Sequence, residues 1–192
     1  YGLAAMLKAA GATPRLLPIA RDRLTSLEQV FSLIGTADAV ITVGGASVGD
    51  YDFVSQAASN FGMKQSFYKV AMRPGKPLMA GYLRGIPMIG LPGNPVSAMV
   101  CGEVFLIPLI QKMLGLPAVP RARKNGPIGH SLPQNGTREH YMRAKLINGS
   151  IFIEDPQDSS LLRVLANADA LAVRPKDDGP LKEGSNIEYI PL

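Results

Sequence analysis

The sequence has one cysteine, Cys101, no tryptophan and two histidines. A single thiol excludes an internal disulfide framework and fits a reducing compartment, so a cytoplasmic location is expected. Two imidazoles and one thiol are too few for a zinc site built from nitrogen and sulfur. No apolar run reaches the ~20 residues that a bilayer-crossing helix requires. No charged-then-apolar leader opens the sequence, so neither export nor a membrane partner is expected. Familiar nucleotide and hydrolase fingerprints are missing too: there is no Gly-x-Gly-x-x-Gly, no Gly-x-x-x-x-Gly-Lys-Ser/Thr and no Gly-x-Ser-x-Gly. Aromatic residues make up only 6%. With one tight basic cluster (Arg121, Arg123, Lys124) and no groove-reading element, the high pI does not point to nucleic acid.

What is present is glycine, proline and positive charge, unevenly placed. The 192 residues are 46% apolar, enough for one generous domain or two modest ones. Of the net charge of +5, a surplus of four lies in residues 1–115 and a surplus of one in 116–192. The excess therefore sits with three glycine-rich loops, where an anionic ligand would want it.

The pattern along the chain predicts a two-part molecule. Leu3 to Ala10 reads as the end of an amphipathic helix stopped by Gly11, so a strand is expected ahead of it. Residues 15–20 read as a strand, and Thr25 with Glu28 as a capping box for a helix through Ile34. Ala39 to Val43 is an apolar run of the kind found in buried parallel strands. A helix is expected over 53–60, with strands near 67–72, 78–82 and 86–91. Asn94 as N-cap and Pro95 as first residue open a long apolar helix to about Leu114, kinked by Pro108. Strands alternating with helices predict an α/β, doubly wound, mostly parallel sheet over residues 1–115. Residues 116–127 read as a linker. Short alternating runs at 141–147, 150–154, 169–174 and 186–190, with an Asn148-Gly149 hairpin turn, predict a small all-β module over 128–192.

The three loops carry the chemistry. In Thr-Val-Gly-Gly-Ala-Ser-Val-Gly-Asp-Tyr-Asp (42–52), Gly44 and Gly45 let backbone approach a ligand, and Ser47 can donate to an oxyanion. Asp50 and Asp52 cannot both point the same way in an extended stretch. An acid beside a phosphate needs a cation between them, which makes Asp52 a natural magnesium ligand. In Arg-Pro-Gly-Lys-Pro (73–77), prolines stiffen the backbone around Arg73 and Lys76, two cations suited to a tetrahedral anion. In Gly-Leu-Pro-Gly-Asn-Pro-Val-Ser (90–97), Gly93 and Asn94 open a helix whose first turn, with Ser97, offers free amides. Each loop alone reads equally well as a turn or a cap; the conjunction reads as a site for an anionic, phosphorylated ligand beside a metal ion.

In order and spacing these loops resemble those of the molybdopterin molybdenumtransferase family, the MoeA/gephyrin group. Arg138-Glu-His-Tyr-Met-Arg143, Gln157-Asp-Ser-Ser-Leu-Leu and Ala166-Asn-Ala-Asp-Ala-Leu are similar to its C-terminal domain, so the likeness covers essentially the whole chain. The resemblance implies a molybdopterin-binding domain followed by a small β-barrel. It also implies insertion of molybdenum from molybdate into adenylylated molybdopterin, with release of AMP and help from Mg2+. Asp52, Lys76 and Asp50 become the candidate catalytic residues, with Asp52 on the metal. Gly44, Gly45, Ser47, Arg73, Pro77, Gly93, Asn94 and Ser97 become the pterin or molybdate contacts, joined by Arg143 and Ser159 from the second domain. Implied partners are the small-molecule substrate, a second copy in a homodimer of the full-length protein, and the pathway's molybdopterin adenylyltransferase. There are departures: Ala46 replaces the usual Val and Arg73 a frequent Lys. The family's opening strand with its Thr-Gly-Asp/Asn-Glu loop, and its two N-terminal domains, have no counterpart in these residues. A C-terminal portion, weakly active or inactive alone, is therefore expected. Two other readings stay open: an adenylyltransferase-like enzyme, disfavoured by the β module, and a non-catalytic pterin-binding scaffold, which would need an exposed aromatic groove near Tyr141, Phe152 or Tyr189.

Overall fold

The computed structural model describes residues 1–45, 53–117, 119–155, 157–158 and 161–192. The first helix, α1 (Gly2–Ala9), ends as expected, with Gly11 at φ +96°. The second, α2 (Leu24–Ser32), does not use the expected capping box. Its N-cap is Arg23 with no side-chain cap, because Thr25 already lies inside the first turn, and the Ser26 hydroxyl accepts from the Arg21 amide at 3.0 Å instead. Residues 15–20, expected as a strand, belong to none. The Arg15 guanidinium donates to the carbonyls of Leu33 (3.1 Å) and Ile34 at the end of α2. That tie, with Pro14 and Pro18 removing amide donors, keeps the segment out of a ladder.

The first sheet runs β1 (Val40–Val43), β5 (Ile86–Leu91), β4 (Met79–Leu83), β2 (Met63–Tyr68) in that order. Among the described strands of this sheet, β1 and β5 pair in parallel; β4 pairs antiparallel with both β5 and β2. The expectation of a mostly parallel sheet is corrected to a mixed one. The cause is local: Arg84 and Gly85 both take positive φ, forming a two-residue turn that can only join antiparallel strands. The α/β character holds, because helices cover both faces. Leu7 of α1 and the helix after β5 pack on Ile89 and Leu91. Phe31 of α2 with Val54 and Ala57 of α3 (Phe53–Asn60) pack on Met79 and Met88. Leu78, Met79 and Leu91 are fully buried, each contributing about 1.5–3 kcal/mol.

The long helix consists of α4 (Pro95–Cys101), a π-helical turn (Gly102–Leu106) and α5 (Ile107–Met113). Pro108 has no amide for the carbonyl of Val104, and the widened turn ahead of it absorbs the mismatch, with the Ile107 amide bonding to the Gly102 carbonyl. At 19 residues and mean hydropathy 1.5, this helix is long and apolar enough to cross a membrane by length and composition. That corrects the expectation drawn from uninterrupted apolar runs. Half of its most apolar window is buried inside the fold, where it serves as the central core helix.

The second sheet is ordered β3 (Met72–Arg73), β7 (Glu139–Ile147), β9 (Ala170–Arg174), β10 (Asn186–Pro191), β6 (Lys124–Pro127), and β8 (Ser150–Ile153) also pairs with β7. Asn148 and Gly149 both have positive φ, as the hairpin signal requires. Ile128 bridges Ile151, so the sheet curls, but among the described residues no continuous ladder closes a barrel. Two features run across the expected boundaries. β6 lies inside the supposed linker, and β3, from the first half, pairs in parallel with Glu139 and His140 of β7. Tyr141, Leu171, Val173 and Ile190 of the second sheet belong to the same core as Leu78, Leu91 and Val100. Arg121 adds a tie, meeting Glu103 of the π turn at 3.1 Å and donating to the Pro191 carbonyl at 3.3 Å.

Candidate functional site

The three loops meet at the N-terminal half of the long helix. Gly44 (φ +84°) and Gly45 (φ +74°) follow β1. The Gly44 amide donates to the Leu91 carbonyl at 3.0 Å. A β-carbon on Gly93 would stand 3.2 Å from the Cα of Gly44, and one on Gly45 would stand 2.2 Å from Val54. The first and third loops are thus pressed backbone to backbone, which only glycines permit. Ser47, Asp50 and Asp52 lie outside the described residues, as does Ser159.

The second loop is fixed by burial of its middle. Pro74 and Gly75 are buried while Arg73 and Lys76 are exposed. Gly75 has φ +107°, and a β-carbon there would fall 2.4 Å from the Cys101 sulfur of α4. The Arg73-Pro74 bond is cis. The Lys76 carbonyl accepts from the amides of Val70 and Leu78, each at 3.0 Å. Rigid backbone thus holds two cations outward, and Pro77 is half-buried behind them. In the third loop Asn94 caps α4, accepting from the Ser97 amide (3.1 Å) and from the Ser97 hydroxyl (3.2 Å). Ser97 is only 6% exposed. Its proton is therefore committed to the cap, leaving the oxygen's lone pairs as what it can offer outward.

Arg143 comes to the same region from β7 and is 1% exposed. Gln157 holds its backbone, accepting from the Arg143 amide at 3.0 Å and donating to its carbonyl at 2.8 Å. One guanidinium nitrogen donates to the Asp158 carbonyl at 2.9 Å, and Nε has no hydrogen-bond partner among the described residues. Burial lowers its pKa, the Asp158 carboxylate opposes that shift, and Arg73 adds to it. A guanidinium stays charged regardless, so this buried cation favours an anion beside it.

Three residues near these were not among the expected site residues, and His140 reads from the sequence alone as structural or solvated. His140 stands in register with Arg73 across the β3–β7 pair. Its pKa is lowered to about 4 by burial first, then by Arg73, Arg143, Arg138 and Arg174. The imidazole is neutral at pH 7 inside an arginine cluster. Arg138 and Lys69 are the others: with Lys76 and Thr137 they line a depression of about 480 Å³ between the halves. Arg138, His140 and Arg143 are close in sequence, and that spacing was available as a signal. Lys69 and Arg73 reach them only through the nonlocal β3–β7 pairing, which no local pattern announces. Among the described residues, no group of three or more His, Cys, Asp or Glu could hold a metal ion. The described surroundings fit an anion; they do not by themselves fit a protein-built metal cage. Of the aromatic residues that a scaffold reading would use, Tyr141 is 4% exposed, and Phe152 lies tilted against His130 with ring centroids 6.0 Å apart.

Comparison with known proteins finds relatives across the whole chain. Residues 1–112 match the family model "Probable molybdopterin binding domain", and residues 125–192 match "MoeA C-terminal region (domain IV)". The chain is 36% identical to a molybdopterin molybdenumtransferase of Nostoc sp., over 100% of this chain and 46% of the relative. It is 33% identical to molybdopterin molybdenumtransferase 2 of Mycobacterium tuberculosis, over 97% of this chain and 48% of the relative. The chain thus spans about half the length of these curated relatives. Its fold superposes on the molybdopterin biosynthesis MoeA protein of Pyrococcus horikoshii with a TM-score of 0.82 at 23% identity, covering 99% of this chain and 46% of that one. The chain belongs to the MoeA family of molybdopterin-binding proteins.

Proposed function

We propose that this chain forms the pterin- and molybdate-binding part of a molybdopterin molybdenumtransferase. The reaction is insertion of molybdenum from molybdate into adenylylated molybdopterin, with release of AMP. The observation that carries this reading is the convergence of Arg73, Arg138 and Arg143 on neutral His140 across the two halves. Arg73 and Lys76, held outward on a buried Pro-Gly backbone, bind the oxyanion groups of molybdate and of the pterin phosphate. Arg143 supplies a fixed charge from the second sheet. His140 offers a hydrogen bond without adding to an already cationic cluster. Gly44, Gly45, Gly93 and Asn94 give close backbone approach to the pterin side, and Ser97 an acceptor.

Asp52 is proposed as the residue that would hold a divalent cation, magnesium by the hard-oxygen character of its donors, with Asp50 and Ser47 of the same sequence loop and Ser159 of the second half as further candidate contacts. Bound there, the cation would neutralise phosphate charge. A cytoplasmic location, a homodimer of the full-length protein and exchange with a molybdopterin adenylyltransferase belong to the same proposal. The C-terminal match over 125–192 supports the transferase over the adenylyltransferase reading. The test is calorimetric titration of adenylylated molybdopterin into the chain, with Arg73→Ala and Lys76→Ala as comparisons. Each substitution should weaken binding about tenfold, as loss of one charge-assisted contact implies. Equal affinity in all three proteins would remove the loop from the site.

A further inference from the structure

Arg143 is a charge set in an apolar row, and its neighbours explain how it is held. Tyr141 and Arg143 point to one face of β7, and their cross-strand partners on β9 are Val173 and Leu171. Tyr141, Val173 and Leu171 belong to the core shared with the first half, whereas Met142 and Ala144 belong to a separate core within the second. Alternation therefore turns the Arg143 side chain towards the first half, where Arg73 acts on its charge. On the opposite edge of β7, the ladder with β8 ends at the pair Ala144 and Ile153. One more backbone bond follows, from the Glu154 amide to the Arg143 carbonyl at 3.0 Å, and the chain then bends away at Asp155. The Gln157 side chain returns to the gap. Its carboxamide oxygen accepts from the Arg143 amide at 3.0 Å, and its nitrogen donates to the Arg143 carbonyl at 2.8 Å. The same nitrogen donates to the Glu154 carbonyl, which closes the turn. A carboxamide is planar and carries a donor beside an acceptor, as a peptide group does. Next along the chain, the Asp158 carbonyl accepts from the Arg143 guanidinium at 2.9 Å. Residues 157 and 158 thus hold Arg143 at both its backbone and its guanidinium.

We propose that Gln157 is a positioning residue for the anion site. Its carboxamide stands in for the missing rung of β7 and fixes the place from which the buried Arg143 guanidinium meets the oxyanion. The inference rests on Arg143 being a contact of the site proposed above. Two observations favour positioning over turn formation alone. The bond to the Glu154 carbonyl is enough to close the turn, yet the same carboxamide makes two more, both to Arg143. Arg143 Nε is buried without a partner among the described residues, so a donor remains for a ligand after the Asp158 carbonyl has taken another. Where that donor points is set by where the backbone of residue 143 stands. Glutamate at 157 would keep the acceptor and lose the donor, and asparagine, one methylene shorter, could not reach both Arg143 groups.

The experiment uses the whole chain with Gln157→Met, Arg143→Met and the double variant. NMR without ligand reads the geometry: in Gln157→Met the Arg143 amide should exchange about tenfold or more faster, and the Arg143 Nε–H resonance should shift. Calorimetry with molybdate reads the consequence. Gln157→Met should weaken binding about fivefold to tenfold in the native background. In the Arg143→Met background the same change should cost less than about twofold, because it acts through that residue. A residue that only closed a turn would leave the loss the same in both backgrounds. Gln157→Asn should show the same pattern to a smaller extent, and replaces Gln157→Met if that variant does not fold. Unchanged Arg143 resonances in the Gln157 variant, or equal losses of affinity in the two backgrounds, nil included, would overturn the proposal. Arg143→Met binding molybdate as tightly as the native chain would overturn the contact on which the proposal rests, and the ligand-free spectra tell that failure from the first.

Discussion

Lowering the pH from 7 to 4 should destabilise this protein through His140. Its pKa falls from 6.5 in the unfolded chain to about 4 in the fold, first through burial and then through Arg73, Arg143, Arg138 and Arg174. Between those values the unfolded chain binds a proton that the folded chain refuses, so stability rises with pH. The contribution is fully present above 6.5 and is lost as pH falls towards 4. A difference of that size corresponds to about 3 kcal/mol, and partial exposure of the ring reduces it to about 1–2 kcal/mol. Urea melts of the native protein and of His140→Gln, at steps from pH 7 to 4, isolate it. The variant should lose about 1–2 kcal/mol less over that interval; identical slopes in the two proteins refute the argument. A bound anion acts in reverse. With molybdate or phosphate present, the midpoint of the His140 ring-proton titration should move upward, because the anion offsets the arginines. A midpoint that stays put would mean that the cluster holds neither anion.

The loop geometry gives three more expectations. Gly75→Ala sets a β-carbon against the Cys101 sulfur at 2.4 Å on a backbone with φ +107°; a loss of about 2–4 kcal/mol is expected in denaturant melts. Cys101→Ala in the same background should restore part of it by opening space, whereas an unaltered melt in the single variant would contradict the packing. Arg143→Met keeps the volume of a buried side chain and removes the charge, so stability should change by less than about 2 kcal/mol while affinity for molybdate drops about tenfold; calorimetry reads both. In a version of the protein extended to its relatives' length, Asp52→Asn should retain pterin binding but lose molybdate-dependent AMP release, and retained release would sink the role proposed for Asp52.

Much of the fold was legible because its signals are local. The helix over 53–60, the strand over 86–91 and the Asn148-Gly149 hairpin fall where periodicity and turn chemistry put them. The failures have physical causes. Thr25 and Glu28 have capping-box spacing, but the helix begins one residue before Thr25. Residues 15–20 have the composition of a strand but no neighbouring ladder among the described residues to join. Alternation of strands and helices suggested parallel pairing, and a two-residue turn at Arg84 and Gly85 overrode it. For the site, the loop glycines and cations could be found in the sequence, since close backbone approach and anion binding each demand a residue type. The depression lined by Lys69 and Arg138, and the approach of Arg73 to His140, could not. They depend on two residues of the first half, Met72 and Arg73, joining a sheet built from the second.

The central claim is that one ligand is held jointly by loops of the first half and by β7 of the second. Hydrogen-exchange mass spectrometry with and without adenylylated molybdopterin tests it most directly. Protection is predicted together in three stretches: 72–78, 91–98 and 139–143. Protection confined to the first two, or to none, would contradict a site shared across the two sheets.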